Sequence, residues 1–286
     1  MSLLVPHIGS DFQWRFSAHG TARPAAAMGV AVTPGNNTKG AYATLISAAN
    51  FANDAYGILI HINSGATSAA ARDMLIDIGT DPAGGTTFGV VIPDLLGSAA
   101  GTAIVGGGIW YYFPLFIKAG STLGARASVN NATVGTVRVN AIVYGRPRRP
   151  EYVKAGQKVT AYGITAGTSS GTAVTSGTTS DGTWTALATA IAERNWWWQV
   201  GVGVNNGTIT AVNYTADLAA GDATNKDMLI EDHTYYGDTA ENWSCSPVNI
   251  MSGENAVASG VNVYGRLQCS GTAITGLSMA AYGMSG

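Results

Sequence analysis

Charge is what this chain has least of. Only 11% of its 286 residues are Asp, Glu, Lys or Arg, against about 25% in ordinary soluble domains. The net charge is −2, so the basic excess of a dedicated nucleic-acid binder is missing and no nucleic-acid partner is expected. Cysteine is scarce too. Cys245 and Cys269 are too few for a disulfide scaffold, and both read as buried free thiols. The four His, at 7, 19, 61 and 233, stand apart, and no two sit at metal-ligand spacing, so neither a metal nor another cofactor is expected. The opening MSLLVPHIGSDFQWRF lacks the basic start of a signal peptide. Residues 95–117 carry no charge and are long enough to cross a bilayer. Gly106, Gly107, Gly108 and Pro114 would disrupt such a helix, so no membrane contact is expected. Glycine, 38 residues of it, follows no three-residue period, which excludes collagen.

What the chain does hold is apolar and small. Hydrophobic residues make up 46%, enough for a real core. A surface with so few charges must be Ser, Thr, Asn, Gly and Ala, which packs on neighbours at little desolvation cost. Subunits of large assemblies have this composition. A duplication runs through it. Residues 29–65 align without a gap on residues 171–207 at an offset of 142, with eleven of 37 positions identical. In this alignment Tyr42 meets Trp184 and Tyr56 meets Trp198. Further on, PLFIKAGSTLGA from Pro114 is set against PVNIMSGENAVA from Pro247, and the copies end in Tyr-Gly at Gly145 and Gly283. The expected organisation is an N-terminal arm over 1–23, a first copy over 24–147, a linker over 148–162 and a second copy over 163–286.

The dominant period is two. Tyr56, Ile58, Ile60 and Ile62 share one face, as do Trp196, Trp198, Val200, Val202 and Val204. Turn residues cluster at 34–37, 63–65 and 205–207. Many short strands punctuated by turns predict an all-β fold of two tandem duplicated β-sandwich (jelly-roll-like) domains. Ala and Leu at mixed spacing over 40–53 and 182–195 also suit a short helix, with Leu187, Ile191 and Arg194 at helical spacing.

Chemistry is thinly signalled. Gly167, Ser169 and Gly171 spell G-x-S-x-G, but a nucleophile elbow needs a helix after the serine, and a Thr/Ser/Gly run follows instead. Asp217, Asp222, Asp227, Glu231, Asp232 and Asp238 gather in the second copy at gaps too wide for a calcium loop and read as solvated loop carboxylates. No catalytic set emerges, and a non-enzymatic chain is expected. Within Trp196, Trp197 and Trp198, Trp197 points away from the face of the other two. It suits a subunit interface or a sugar-stacking platform. Charge splits unevenly: residues 1–150 carry +4 and residues 151–286 carry −6.

The segment FPLFIKAGSTLGARASVNN with the later VRVNAIVYG, and RPAAAMGVAVTPG before them, resembles structural proteins of tailed-bacteriophage virions. Those place an aromatic-x-P-x-x-I-x-A-G-x-x-(I/L)-(A/G)-A-R segment before an alternating final strand. Here it spans residues 112–126, and the second copy has Ala258 and Ser259 in place of its Ala-Arg pair. The resemblance implies a virion component, assembled in the host cytoplasm, that decorates the capsid or builds a head or tail fibre. The alternative is an adhesin binding a receptor or host surface glycan. Expected partners are other virion proteins and further copies of the chain, as a trimer or ring. Trp14 and Phe16 on the arm, Arg146, Arg148 and Arg149 on the linker, and Trp197 are the partner-contact candidates.

Overall fold

The computed structural model describes residues 15–18, 29–65, 72–99, 108–130, 136–145, 156–204, 212–237, 243–245, 250–251, 256–271 and 276–286. Among them there is no α-helix. The first copy comprises β1 (Arg15–Ala18), β2 (Val30–Val32), β3 (Gly35–Asn36), β4 (Ala43–Ile46), β5 (Gly57–Gly65), β6 (Arg72–Asp81), β7 (Gly89–Ala99), β8 (Gly108–Phe113), β9 (Thr122–Val129) and β10 (Thr136–Tyr144). The second comprises β11 (Lys158–Tyr162), β12 (Ile164–Thr165), β13 (Ser170–Val174), β14 (Thr185–Ala188), β15 (Trp197–Val204), β16 (Val212–Gly221), β17 (Lys226–Gly237), β18 (Trp243–Cys245), β19 (Ile250–Met251), β20 (Asn262–Cys269) and β21 (Leu277–Ser285).

Each copy is a jelly roll, and the strand orders match. One sheet of the first copy runs β2-β10-β5-β8 and the facing one β4-β9-β6-β7. In the second copy the same orders recur as β13-β21-β15-β19 and β14-β20-β16-β17. The period-two pattern explains the layers. Ile58, Ile60 and Ile62 point into the first sandwich, and Trp198, Val200, Val202 and Val204 into the second, all buried. The copies also share a sheet, because β18 pairs in parallel with β8 at Ser244–Gly108 and Cys245–Ile109.

Three sequence expectations change. The repeat keeps its offset of 142 only through β4 and β14. From there it is 140: Ala55 bridges Ile117 as Asn195 bridges Val257, and Ile60 pairs Ala141 as Val200 pairs Ala281. The first copy spends two more residues on its turn, a 3₁₀ turn at Ala48–Asn50; residues 182–195, where the Leu187, Ile191 and Arg194 spacing suits a helix, form none. Tyr56 therefore corresponds to Trp196, and Trp198 to Ile58. The arm is not unique to the first copy. β1 pairs with β10, Arg15 opposite Tyr144, and β11, read as linker, pairs in the same way with β21, Val159 opposite Met284. The arm thus adds a strand to its own sandwich.

The third change is the most instructive. Residues 118–126 align on 258–266, with Gly120 and Gly260 both at positive φ, 75° and 84°, and Arg126 on Arg266. Both arginines do the same job. Arg126 Nε donates to Asp77 at 2.9 Å, and Arg266 Nε to Asp217 at 2.8 Å. Each aspartate sits where the pairing with the next strand slips in a β-bulge. Each accepts a backbone N–H from the aspartate at the bulge, Asp94 at 3.0 Å and Asp232 at 2.7 Å, both at φ 52°. An aromatic covers each guanidinium: Tyr42 at 4.9 Å from Arg126, Trp184 at 4.3 Å from Arg266. Asp217 is 4% exposed, not a solvated loop carboxylate.

The copies differ in what else holds the carboxylate. Burial pushes Asp77 up, but Lys39 at 2.8 Å and the hydrogen bonds from Lys39, Asp94 N–H and Arg126 outweigh it and hold the acid below its ordinary value. Asp217 has Arg266 as its one ion-pair partner among the described residues. Arg266→Ala is therefore expected to cost more than Arg126→Ala, by about 1–3 kcal/mol, the penalty for stranding a buried acceptor. Urea unfolding of the two variants decides it; equal losses would mean that Lys39 carries none of the Asp77 charge.

Candidate functional site

The chemistry-bearing side chains converge where the two sandwiches meet. The first copy brings β6, β7 and β8 to this seam, and the second brings β13, β15 and β21. The second copy's strands are carved to receive it. Gly201 and Gly203 interrupt β15, where Val or Ile would suit the strand better. Any side chain at Gly201 would collide with the Tyr111 hydroxyl, and one at Gly203 with Asp73 and Ser278; one at Gly171 would meet Leu96 at 2.9 Å. Glycine at these positions lets Leu96 and Tyr111 sink into the sheet face.

Leu96, on β7, has both backbone groups satisfied by tyrosines. Its N–H donates to the Tyr282 hydroxyl at 2.6 Å, and its carbonyl accepts from the Tyr111 hydroxyl at 2.5 Å. Tyr282 donates onward to the Asp94 carbonyl at 3.0 Å. Burial pushes the Tyr282 hydroxyl far above its ordinary value, so it stays a donor. Gln199, on β15, stands in for a missing strand beside β8. Its Nε2 donates to the Tyr112 carbonyl, and its Oε1 accepts the Tyr112 N–H at 3.3 Å. Val204 N–H donates to Ser98 Oγ at 2.7 Å.

Trp197 lies in this seam. It is 1% exposed, edge-on to Tyr112 with ring centroids 5.9 Å apart. It is neither a sugar platform nor a contact with another chain; its partner is the first copy of its own chain. Of the other candidates, Phe16 belongs to β1, and Trp14, Arg146, Arg148 and Arg149 lie outside the described residues. Ser169, in the G-x-S-x-G string, is buried at φ 49° and runs straight into β13, so the elbow's helix is replaced by a strand. Cys269 is buried, 2% exposed, and accepts from the Ser176 hydroxyl at 3.5 Å; the side chain of Cys245 lies outside the described residues. Among the described residues no three His, Cys, Asp or Glu gather at metal-binding distance, and no helix is long and apolar enough to cross a membrane.

Among the described residues Asp73, on β6, is the carboxyl buried in the seam, 0% exposed. Gly171 N–H donates to its Oδ2 at 3.2 Å. Burial pushes it up to about 7, against the opposing pull of Ser278 and the Gly171 N–H.

Two copies of one jelly roll make up the described residues. No family model and no curated protein matches it. Among solved structures it is similar to one described as a recombinant peptide, N-glycanase F (PNGase F), with TM-score 0.33, 9% identity, 95% of this chain and 96% of that one covered. It is also similar to the N-terminal CBM22-1–CBM22-2 tandem domain of Xyn10C from Paenibacillus barcinonensis, with TM-score 0.26, 13% identity and 82% of each chain covered. These likenesses are weak and concern the fold. The expectation of a non-enzymatic chain is nevertheless corrected, because an N-glycanase, an enzyme, is among the matching structures. The architecture does not exclude catalysis, and at this TM-score the likeness assigns no activity to the chain.

The seam was hidden from sequence reasoning. Its signal was the Gly201 and Gly203 interruption, since glycine inside a strand marks close approach of another group.

Proposed function

We propose that the chain is a structural subunit of a bacteriophage particle, a twin jelly roll that decorates the capsid or forms part of a fibre. The observation that carries this reading is the seam. It spends Trp197, Tyr282 and Gln199 on fixing one sandwich to the other, which makes a two-lobed block. A particle component must hold its shape while its neighbours dock. The low charge of the surface and the resemblance at residues 112–126 support the same assignment. The partners in this reading are other virion proteins and further copies of the chain.

Mass spectrometry of purified particles, with copy number counted against the major capsid protein, tests the reading. The expected result is a fixed stoichiometric copy number, with self-association of the isolated chain in sedimentation. A chain absent from particles and monomeric at high concentration sinks it.

A further inference from the structure

Asp73 faces the second copy across the seam, and its surroundings are short of positive charge. From β13 comes the Gly171 N–H, from β21 the Ser278 hydroxyl, and from β15 the bare Cα of Gly203. β7 presents Ser98, its cross-strand partner, whose hydroxyl is engaged by Val204 N–H. From the end of β9, Asn130 N–H donates to the Asp73 carbonyl rather than to its carboxyl. The titratable groups nearby are Tyr282 on β21, whose proton the Asp73 charge holds more tightly, and Asp94 beyond it on β7, which acts on Tyr282 in the same direction. Arg72, the preceding residue on β6, points to the opposite face of the strand. Among the described residues Asp73 forms no ion pair. A neutral carboxyl suits this site. A carboxylate would be a buried anion holding one backbone N–H, from Gly171, and no cation among the described residues.

We propose that Asp73 is a proton-operated latch of the seam: protonated, it keeps the two sandwiches closed on each other, and ionised, it favours a state in which they part and water reaches the carboxylate. Among the described residues, the wall of the Asp73 site that can move without tearing β6 from its own sheet is the second copy, so hydration of the charge draws the seam open. The latch belongs to this chain's own fold and does not rest on the particle assignment. Its upward displacement to about 7 places the working range just below neutral pH.

Amide hydrogen exchange on the full chain reads the opening directly, once the intrinsic pH dependence of exchange is divided out. The Leu96 and Val204 amides both cross the seam. Their opening constants are expected to rise about tenfold per pH unit between about pH 5 and 7 and then level off. Amides of β9 and β20, which pair within their own sandwiches, show no such rise. In Asp73→Asn the slope disappears. Seam amides in the native chain with no slope over this range, or the same slope in the variant, overturn the latch. Should the variant fail to fold, the Asp73 carboxyl carbon shift of the native chain decides. A midpoint near 7, matching the exchange plateau, supports the proposal; titration in the ordinary carboxylate range overturns it.

Discussion

Replacing Trp197 by alanine is expected to lower the unfolding free energy by about 3–5 kcal/mol, the range for emptying a buried large aromatic site. The indole is 1% exposed and wedged between Tyr112 of the first copy and Trp196 of the second. Its loss leaves a void in the seam rather than a hole inside either sandwich. The two sandwiches are therefore expected to lose their coupling before either loses its own fold, and denaturation should split into two transitions. Trp197→Phe, which keeps most of the contact with Tyr112, should lose less and keep one transition. Scanning calorimetry checks both outcomes. A Trp197→Ala chain as stable as the native one would place the indole outside the seam.

The second large effect is in the pH dependence of stability, where two buried groups oppose each other. Asp73 is raised to about 7 in the folded chain from an ordinary value of 3.8. The folded state then holds a proton that the unfolded state has released, so stability is highest below pH 4 and falls until about pH 7. The full loss is about 4 kcal/mol. His233, in the second sandwich, moves the other way. Burial lowers it from 6.5 to about 4, so the folded state refuses a proton that the unfolded state accepts. Its contribution is present above pH 6.5 and is lost as pH falls to about 4. The two slopes nearly cancel between pH 4 and 6.5, and the native chain should show a flat profile there. Asp73→Asn removes one slope and exposes the other, so this variant should gain stability steadily from pH 4 to 6.5. Chemical denaturation at closely spaced pH values measures it, and a variant that stays flat through that window would be inconsistent with His233 titrating as described.

The layers of the fold were legible because burial on one face leaves a period of two, and strands such as β5, β10 and β15 carry it plainly. The duplication was legible in composition but not in register. Gly, Thr and Ala recur so often that an ungapped match can run past a two-residue change of turn length without penalty, which put Trp198 opposite Tyr56 instead of Ile58. Arg266 was missed because matching Pro114 to Pro247 puts Arg126 opposite Ser259, seven positions short of its true equivalent. Its equivalence to Arg126 shows only through the aspartates at each bulge, Asp94 and Asp232, which lie 138 positions apart rather than 140. The role of Trp197 was half visible. Alternation sets its direction, away from the core of its own sandwich, but the residue it meets, Tyr112, lies 85 positions earlier. Asp73 carried no signal at all, because an aspartate in a strand looks the same whether it faces water or another sandwich.

The seam is heterologous. The first copy offers β6, β7 and β8, the second β13, β15 and β21, and these are different places on the shared jelly roll. Head-to-tail contacts of this kind do not close on themselves, and repeated they would run on as a filament. The next module in such a series would have to seat on the outer face of the first copy's β5. There His61 stands where the second copy has Gly201, 1% exposed and stacked on Trp110, so the hollow that receives Leu96 and Tyr111 is filled. Propagation by this contact stops at two modules, and any larger assembly of the chain must be built through surfaces other than the one that joins its halves.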